Sequence, residues 1–330
     1  MTRLRSPRHV YTLALALPLL LGACTDAAES VRPVTSAPAV ASAVSSAQAA
    51  FLDSRIAELE AQYSTRIGVT AVDPITGAVY RHRGAERFAL CSTFKTYAAA
   101  EVLRRTSEGT SSLDKAIPVE ASALVENSPV TAAAVGTSMT LAELAEAALT
   151  RSDNTAGNLL LTEIGGPQAI TSLARSIGDD TTRLDRWETE LNTALRGDPR
   201  DTSTTDGLAE GYRALLLGDE LEPNHRRQLL DWLRASTTSD TRIRAGLPPG
   251  WSAADKTGTG RFGTANDAGV VWDREGQPPR ARHPDRQFDQ SGSGSTEQRR
   301  HCRDDNRGHR SARRPVKCAD RRKMSWARAS

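Results

Sequence analysis

Phe88-Ala89-Leu90-Cys91-Ser92-Thr93-Phe94-Lys95 is the stretch on which the fold turns. It reads as an apolar approach to a helix that runs on to about Arg105, with a hydroxyl and an amine one helical turn apart. Residues so spaced share a face, so the Lys95 amine lies within reach of the Ser92 hydroxyl. A neutral serine hydroxyl is a poor nucleophile; it needs an adjacent base and donors for the oxyanion that it creates. A helix N-terminus adds a positive dipole end. Lysine suits the base because its pKa falls on desolvation, whereas arginine stays charged. Lysine is otherwise confined to Lys115, Lys256, Lys317 and Lys323 in this Arg-rich chain.

Two further motifs follow, Ser152-Asp153-Asn154 and Lys256-Thr257-Gly258, with Arg186-Trp187-Glu188-Thr189-Glu190-Leu191-Asn192 between them. Taken singly, the first motif is more often a surface helix pair, the second a loop or N-cap, the third a turn. Together and in this order they resemble the active-site serine β-lactamases and penicillin-binding proteins. The Glu188 stretch resembles the Ω-loop of the class A β-lactamases, and the resemblance runs from about Phe51 to Trp272.

That resemblance implies a role for each position. Ser92 would be the nucleophile and Lys95 or Glu188 its base. The backbone N–H groups of Ser92 and Thr259 would hold the oxyanion. Ser152 would relay a proton to the departing nitrogen, and Glu188 with Asn192 would hold the hydrolytic water. Asn154 would bind the substrate's acylamino group, while Lys256, Thr257, Gly258, Thr259 and Arg242 would receive its carboxylate. Arg186 and Asp201 would pair across the neck of the loop. Asn127, before Ser128-Pro129, stands where many relatives carry an aromatic, which thins the apolar wall of the cleft. The expected substrate is a β-lactam acted on by a monomer, with no cofactor and no metal. A penicillin-binding D,D-peptidase and a non-hydrolytic lipoprotein that binds β-lactams or cell-wall peptides are the alternatives.

The fold class expected is α/β, serine β-lactamase/D,D-peptidase-like. An antiparallel sheet would be built from both chain ends (about 51–90 and 236–277), with an all-helical part inserted at about 91–235. Phe51, Ile56, Leu59 and Tyr63 recur at helical spacing. Ile67 to Val72 and Ala78 to His82 flank the turn Asp73-Pro74-Ile75-Thr76-Gly77 as a hairpin. Thr140 and Glu143 form a capping box, and Pro167 and Gly178 bracket another helix. Helices near Gly207–Leu217 and Pro223–Ala235 lead to strands at Trp251–Thr259 and Ala268–Trp272. Strands at both ends around a helical middle give this architecture.

The chain has 330 residues, 38% hydrophobic and 25% charged, enough for one or two domains with a core. Its net charge of +3 conceals an asymmetry: from Pro278 onward fifteen Arg and Lys face six Asp and Glu, and the body is acidic. No basic patch in the body argues for nucleic acid. Arg3, Arg5 and Arg8 precede an apolar stretch, Tyr11 to Leu21, too short to span a bilayer comfortably. Leu21-Gly22-Ala23-Cys24 resembles a bacterial lipobox, which implies lipidation at Cys24, export, and anchoring on the periplasmic or extracellular face. An ordinary signal peptide is the alternative. Residues 25–48 read as an Ala-, Ser- and Pro-rich tether before a catalytic domain at 49–277. Cys91 reads as a small buried apolar residue, and His301, Cys302, His309 and Cys318 match no zinc module.

After Trp272 the resemblance stops. The family continues with an apolar strand and a C-terminal amphipathic helix. Here Arg280-Ala281-Arg282-His283-Pro284-Asp285-Arg286 opens a basic tail over 278–330 with the composition of disorder. A frameshift near Gln277 to Arg280 accounts for it; a natural basic extension is the alternative. The missing strand would leave two sheet edges unpaired, so this chain is expected to fold poorly and to have little activity.

Overall fold

The computed structural model describes residues 44–277. The readings for residues 1–24, Cys24 and the tail 278–330 lie outside the described residues. Along the chain come α1 (Ser46–Tyr63), β1 (Val69–Val72), β2 (Val79–His82), β3 (Arg87–Ala89), α2 (Phe94–Ser107), β4 (Ala116–Pro118), β5 (Ser138–Thr140) and α3 (Leu141–Thr150). They are followed by α4 (Asn154–Ile164), α5 (Pro167–Ser176), β6 (Thr202–Thr204), α6 (Thr205–Leu217), α7 (Pro223–Arg234), β7 (Ser252–Thr259) and β8 (Ala265–Trp272). None of the described helices is long and apolar enough to cross a membrane.

Helix α2 is the centre of the molecule. Every residue from Phe94 to Leu103 is buried, because α3, α4, α5 and α7 all pack against it. Such all-round enclosure explains why its polar positions carry partners: Glu101 pairs with Arg104 and Arg105, each at 2.8 Å. Around it Leu144, Leu149, Leu160, Leu161, Leu229 and Leu233 form the core. The capping box read at Thr140 and Glu143 starts α3, with the Glu143 backbone N–H donating to Thr140 Oγ1 at 3.2 Å.

Helix α1 corrects the expected tether boundary. It begins inside the stretch read as linker, because Ser45 caps it by accepting from the Gln48 N–H at 3.3 Å and alanines favour the first turns. Its anticipated apolar face is mostly uncovered. Only Ile56 is buried, while Phe51 is 70% and Tyr63 67% exposed.

The strands form four antiparallel pairs: β1–β2, β3–β6, β4–β5 and β7–β8. Among the described residues the terminal sheet is therefore two hairpins with no hydrogen bonds between them, and α6 packs against both β1 and β8. Strand β8 begins at Ala265, three residues before the sequence suggests, because its whole length pairs with β7 from Ser252↔Trp272 to Thr259↔Ala265. The pairs β3–β6 and β4–β5 were not legible, being three residues each. Pairing of β3 with β6 anchors the end of the loop that carries Glu188, whose neck is closed by the Arg183 N–H donating to the Thr202 carbonyl at 3.0 Å.

Candidate active site

Ser92 lies in one 3-10 turn, Cys91–Thr93, that feeds α2. Cys91 is held at φ 47°, a left-handed conformation that costs a side-chain-bearing residue about 1–3 kcal/mol and persists only where surrounding packing dictates it. Strand β7 supplies that packing. A Cβ on Gly258 would come within 2.8 Å of the Leu90 carbonyl oxygen and 3.2 Å of Cys91 Cβ. Glycine there lets the third motif lie directly against the first.

Lys95 Nζ donates to Ser92 Oγ at 3.0 Å, to Asn154 Oδ1 at 2.6 Å and to the Ser152 carbonyl at 2.9 Å. The same nitrogen is 3.0 Å from Glu188 Oε1. Four acceptors thus surround an ammonium that has three hydrogens. The Ser92 hydroxyl in turn donates to Glu188 Oε1 at 3.3 Å.

Helix α4 fixes Glu188. Asn158 donates from Nδ2 to the Glu188 carbonyl at 3.0 Å, and its Oδ1 accepts from the Glu188 N–H at 2.9 Å. Asn192 Nδ2 donates to Glu188 Oε2 at 2.5 Å, leaving Asn192 Oδ1 a buried acceptor without a protein partner. The Glu188-Thr189 peptide is cis. At the neck, Arg186 Nε meets Asp201 Oδ2 at 2.5 Å, while Asp201 Oδ1 accepts from the Asp185 and Arg186 N–H groups at 2.8 and 2.9 Å.

Across the cleft, Lys256 Nζ donates to Ser152 Oγ at 3.0 Å and to the Thr257 carbonyl at 2.8 Å. Burial, and next the charge of Lys95, push the Lys256 ammonium down to about 7. Thr257 shares a 2.7 Å hydroxyl contact with Thr238, and Arg242 Nη2 donates to Thr259 Oγ1 at 3.1 Å. A Cβ on Gly260 would meet Cys91 Sγ at 2.7 Å. Cys91 itself is fully buried and free. Burial, reinforced by the Glu188 carboxylate, pushes its thiol up to about 12, which makes it inert.

The residues read from the motifs therefore converge: hydrogen bonds and close contacts bring Ser92, Lys95, Ser152, Asn154, Glu188, Asn192, Lys256, Thr257, Gly258, Thr259 and Arg242 together. Asn154 is tied more tightly than expected, since its Oδ1 serves Lys95 and its Nδ2 donates to the Glu126 carbonyl at 2.8 Å. One N–H of that amide remains for a ligand. Asn127 borders the same turn: its carbonyl accepts from the Asn154 N–H at 3.0 Å. Sequence reading missed Asn158 and Thr238. Asn158 had a signal, standing one helical turn after Asn154 on the same face; Thr238 had none.

Comparison with known proteins agrees with this geometry. A family model described as the beta-lactamase enzyme family matches residues 51–279. The chain is 49% identical over 266 residues to beta-lactamase AST-1 of Nocardia asteroides, covering 80% of this chain and 83% of that protein. It is also 49% identical over 217 residues to the carbapenem-hydrolyzing beta-lactamase KPC of Klebsiella oxytoca, covering 66% and 74%. Among solved structures, the ancestral class A beta-lactamase of Gram-negative bacteria superimposes with a TM-score of 0.67 at 54% identity, over 69% of this chain and 87% of that one. The chain belongs to the class A β-lactamase family of active-site serine hydrolases.

Proposed function

We propose that this site hydrolyses β-lactam amides through an acyl-enzyme on Ser92. The Ser92 hydroxyl gives its proton to Glu188 or to Lys95 as its oxygen bonds to the lactam carbonyl carbon. The ring C–N bond then breaks as Ser152 passes its proton to the nitrogen; Lys256 reprotonates Ser152 and recovers the proton taken from Ser92, so that Glu188 is again a carboxylate and Lys256 an ammonium. Water, deprotonated by Glu188 and oriented by Asn192, attacks the ester and releases the opened acid and the Ser92 hydroxyl. The substrate carboxylate sits among Lys256, Thr257, Thr259 and Arg242.

One observation carries this reading over a penicillin-binding D,D-peptidase or a non-hydrolytic binder. The Glu188 carboxylate is 3.3 Å from the nucleophile and is held by Asn192, on a backbone fixed by Asn158. A deacylating enzyme needs such a base beside the ester; a receptor that retains its ligand does not. Mass spectrometry with penicillin tests it, on a Glu188→Ala variant in which a family C-terminal segment replaces residues 278–330. Accumulated acyl-enzyme supports the proposal, and unchanged turnover refutes the role of Glu188.

Two further parts of the reading rest on sequence. Export with a lipid at Cys24 is supported by the positive n-region and Leu21-Gly22-Ala23-Cys24. Labelling cells with a fatty-acid analogue tests it; an unlabelled soluble product refutes it. Impaired folding of the 330-residue chain is supported by the end of the family match at residue 279 and by two hairpins on α6 that no strand joins among the described residues. Stabilities of about 5–15 kcal/mol leave little room for two open strand edges.

A further inference from the structure

On one face of β7, Asp255, Thr257 and Thr259 follow one another by strand alternation. Each meets the segment that precedes the strand: Asp255 Oδ1 accepts from Arg244 Nε at 2.7 Å, Thr257 meets Thr238, and Thr259 accepts from Arg242. Asp267 on β8 pairs with Thr257 and Gly269 with Asp255, so Asp255 and Asp267 are diagonal neighbours on that face. Gly269 keeps the space open, since a Cβ there would lie 2.8 Å from Asp255 Cβ. Asp267 Oδ2 accepts from the Ile243 N–H at 3.0 Å.

The other two carboxylate oxygens, Asp255 Oδ2 and Asp267 Oδ1, are buried and have no hydrogen-bond donor. Two facing carboxylates with orphan oxygens repel; one proton between them turns the repulsion into a charge-assisted hydrogen bond. We infer that Asp255 and Asp267 share one proton and that this acid pair is a positioning device for Arg242. It clamps Ile243 and Arg244, the two residues after Arg242, to β7 and β8, and so aims the guanidinium over Thr259 where the substrate carboxylate binds. The inference deepens the proposed function and, in its kinetic part, rests on it.

The surroundings fit a single negative charge. Arg244 pairs with Asp255 and also donates to the Ser236 and Leu233 carbonyls at 3.0 and 2.9 Å. Arg242, Lys256 and the Tyr212 phenol of α6 are the other titratable groups that sense the pair. Arg234 of α7, the helix packed on β7, is turned to the Trp272 ring. Burial, and next the Asp255 charge, push Asp267 up to about 7.

Asp267→Asn and Asp267→Ala separate this role from bulk stability. The amide of Asp267→Asn supplies a permanent hydrogen to Asp255 Oδ2 and an oxygen to the Ile243 N–H. It is expected to keep KM for penicillin within about twofold. Asp267→Ala leaves Asp255 without that hydrogen and frees Ile243; KM is expected to rise on the order of tenfold or more with kcat within about threefold, the loss of one charge-assisted contact. Adding Arg242→Ala to Asp267→Ala is expected to raise KM no further. Infrared difference spectra of the full chain supply a readout independent of turnover. A protonated-carboxyl band is expected in mildly acidic and neutral buffer and absent in Asp267→Asn. Absence of that band in the unaltered chain overturns the shared proton. Equal KM effects of Asn and Ala, or a fall in kcat as large as the rise in KM, overturn the positioning role. The kinetic variants carry a family C-terminal segment in place of residues 278–330; failure of β-lactam hydrolysis in that background would instead strike the function proposed above, leaving the infrared result to decide the pair.

Discussion

Lys95 Nζ and Glu188 Oε1 stand 3.0 Å apart with both side chains fully buried. The ion pair therefore does two things at once: it places a base beside Ser92, and it neutralises a charge that burial would otherwise make costly. Removing Glu188 should separate these effects. Glu188→Gln is expected to lower deacylation by roughly 10²–10⁴-fold, the usual worth of a general base. Glu188→Ala should add a loss of about 3–5 kcal/mol by stranding Lys95. Stopped-flow acylation and deacylation rates, alongside urea unfolding, measure the two separately; equal rates for the variants and the unaltered chain would remove Glu188 from the mechanism.

Lys256 should set an alkaline limb. Its ammonium is held down to about 7 by burial and Lys95. The protonated form attracts the substrate carboxylate and is fully present below that pH, so kcat/KM for an anionic penicillin should fall as pH rises through about 7. Lys256→Arg keeps its charge in this range and should flatten the limb while lowering the maximum, since a guanidinium cannot resupply Ser152. A pH profile of kcat/KM decides it; an unchanged limb in Lys256→Arg would assign the titration elsewhere.

Asp201 anchors the neck of the Glu188 loop through Arg186 and two backbone N–H groups while fully buried. Asp201→Ala is expected to cost about 3–5 kcal/mol by leaving Arg186 and those donors without their acceptor. Deacylation should suffer more than acylation, because Glu188 rides on the loop and Ser92 does not. Urea denaturation with single-turnover kinetics checks both; a loss confined to acylation would contradict it.

Gly258→Ala tests the approach of β7 to the nucleophile. With the Leu90 oxygen 2.8 Å from the new Cβ, the strand must shift away from Ser92. A displacement of about 1 Å at reacting groups costs about 10²-fold, so kcat/KM should drop by about that much. Full activity in Gly258→Ala would show that β7 can yield without disturbing Ser92.

Grafting the C-terminal segment of the N. asteroides relative in place of residues 278–330 tests the impaired-chain proposal. The graft is expected to raise both the thermal midpoint and the rate of penicillin hydrolysis, by giving the hairpin edges over α6 a strand to pair with. A 330-residue chain that already unfolds cooperatively and hydrolyses penicillin at the graft's rate would refute it.

What the sequence determined was the chemistry that local spacing encodes. Ser92 and Lys95 share a helix face because the helical repeat brings them together; the Thr140 and Glu143 cap and the start of α5 at Pro167 are likewise local events. The family resemblance then named Ser152, Glu188 and Lys256 from motif order. Only the tertiary structure decided what depends on contacts between distant segments. It anchored the end of the Glu188 loop with strands of three residues, enlisted Asn158 to fix Glu188, and set Asp267 of β8 against Asp255 of β7. It also left Phe51 and Tyr63 exposed where a helical period predicted a buried face. A period says which side of a helix is apolar; burial requires another element to cover it, and that is a property of the assembled chain.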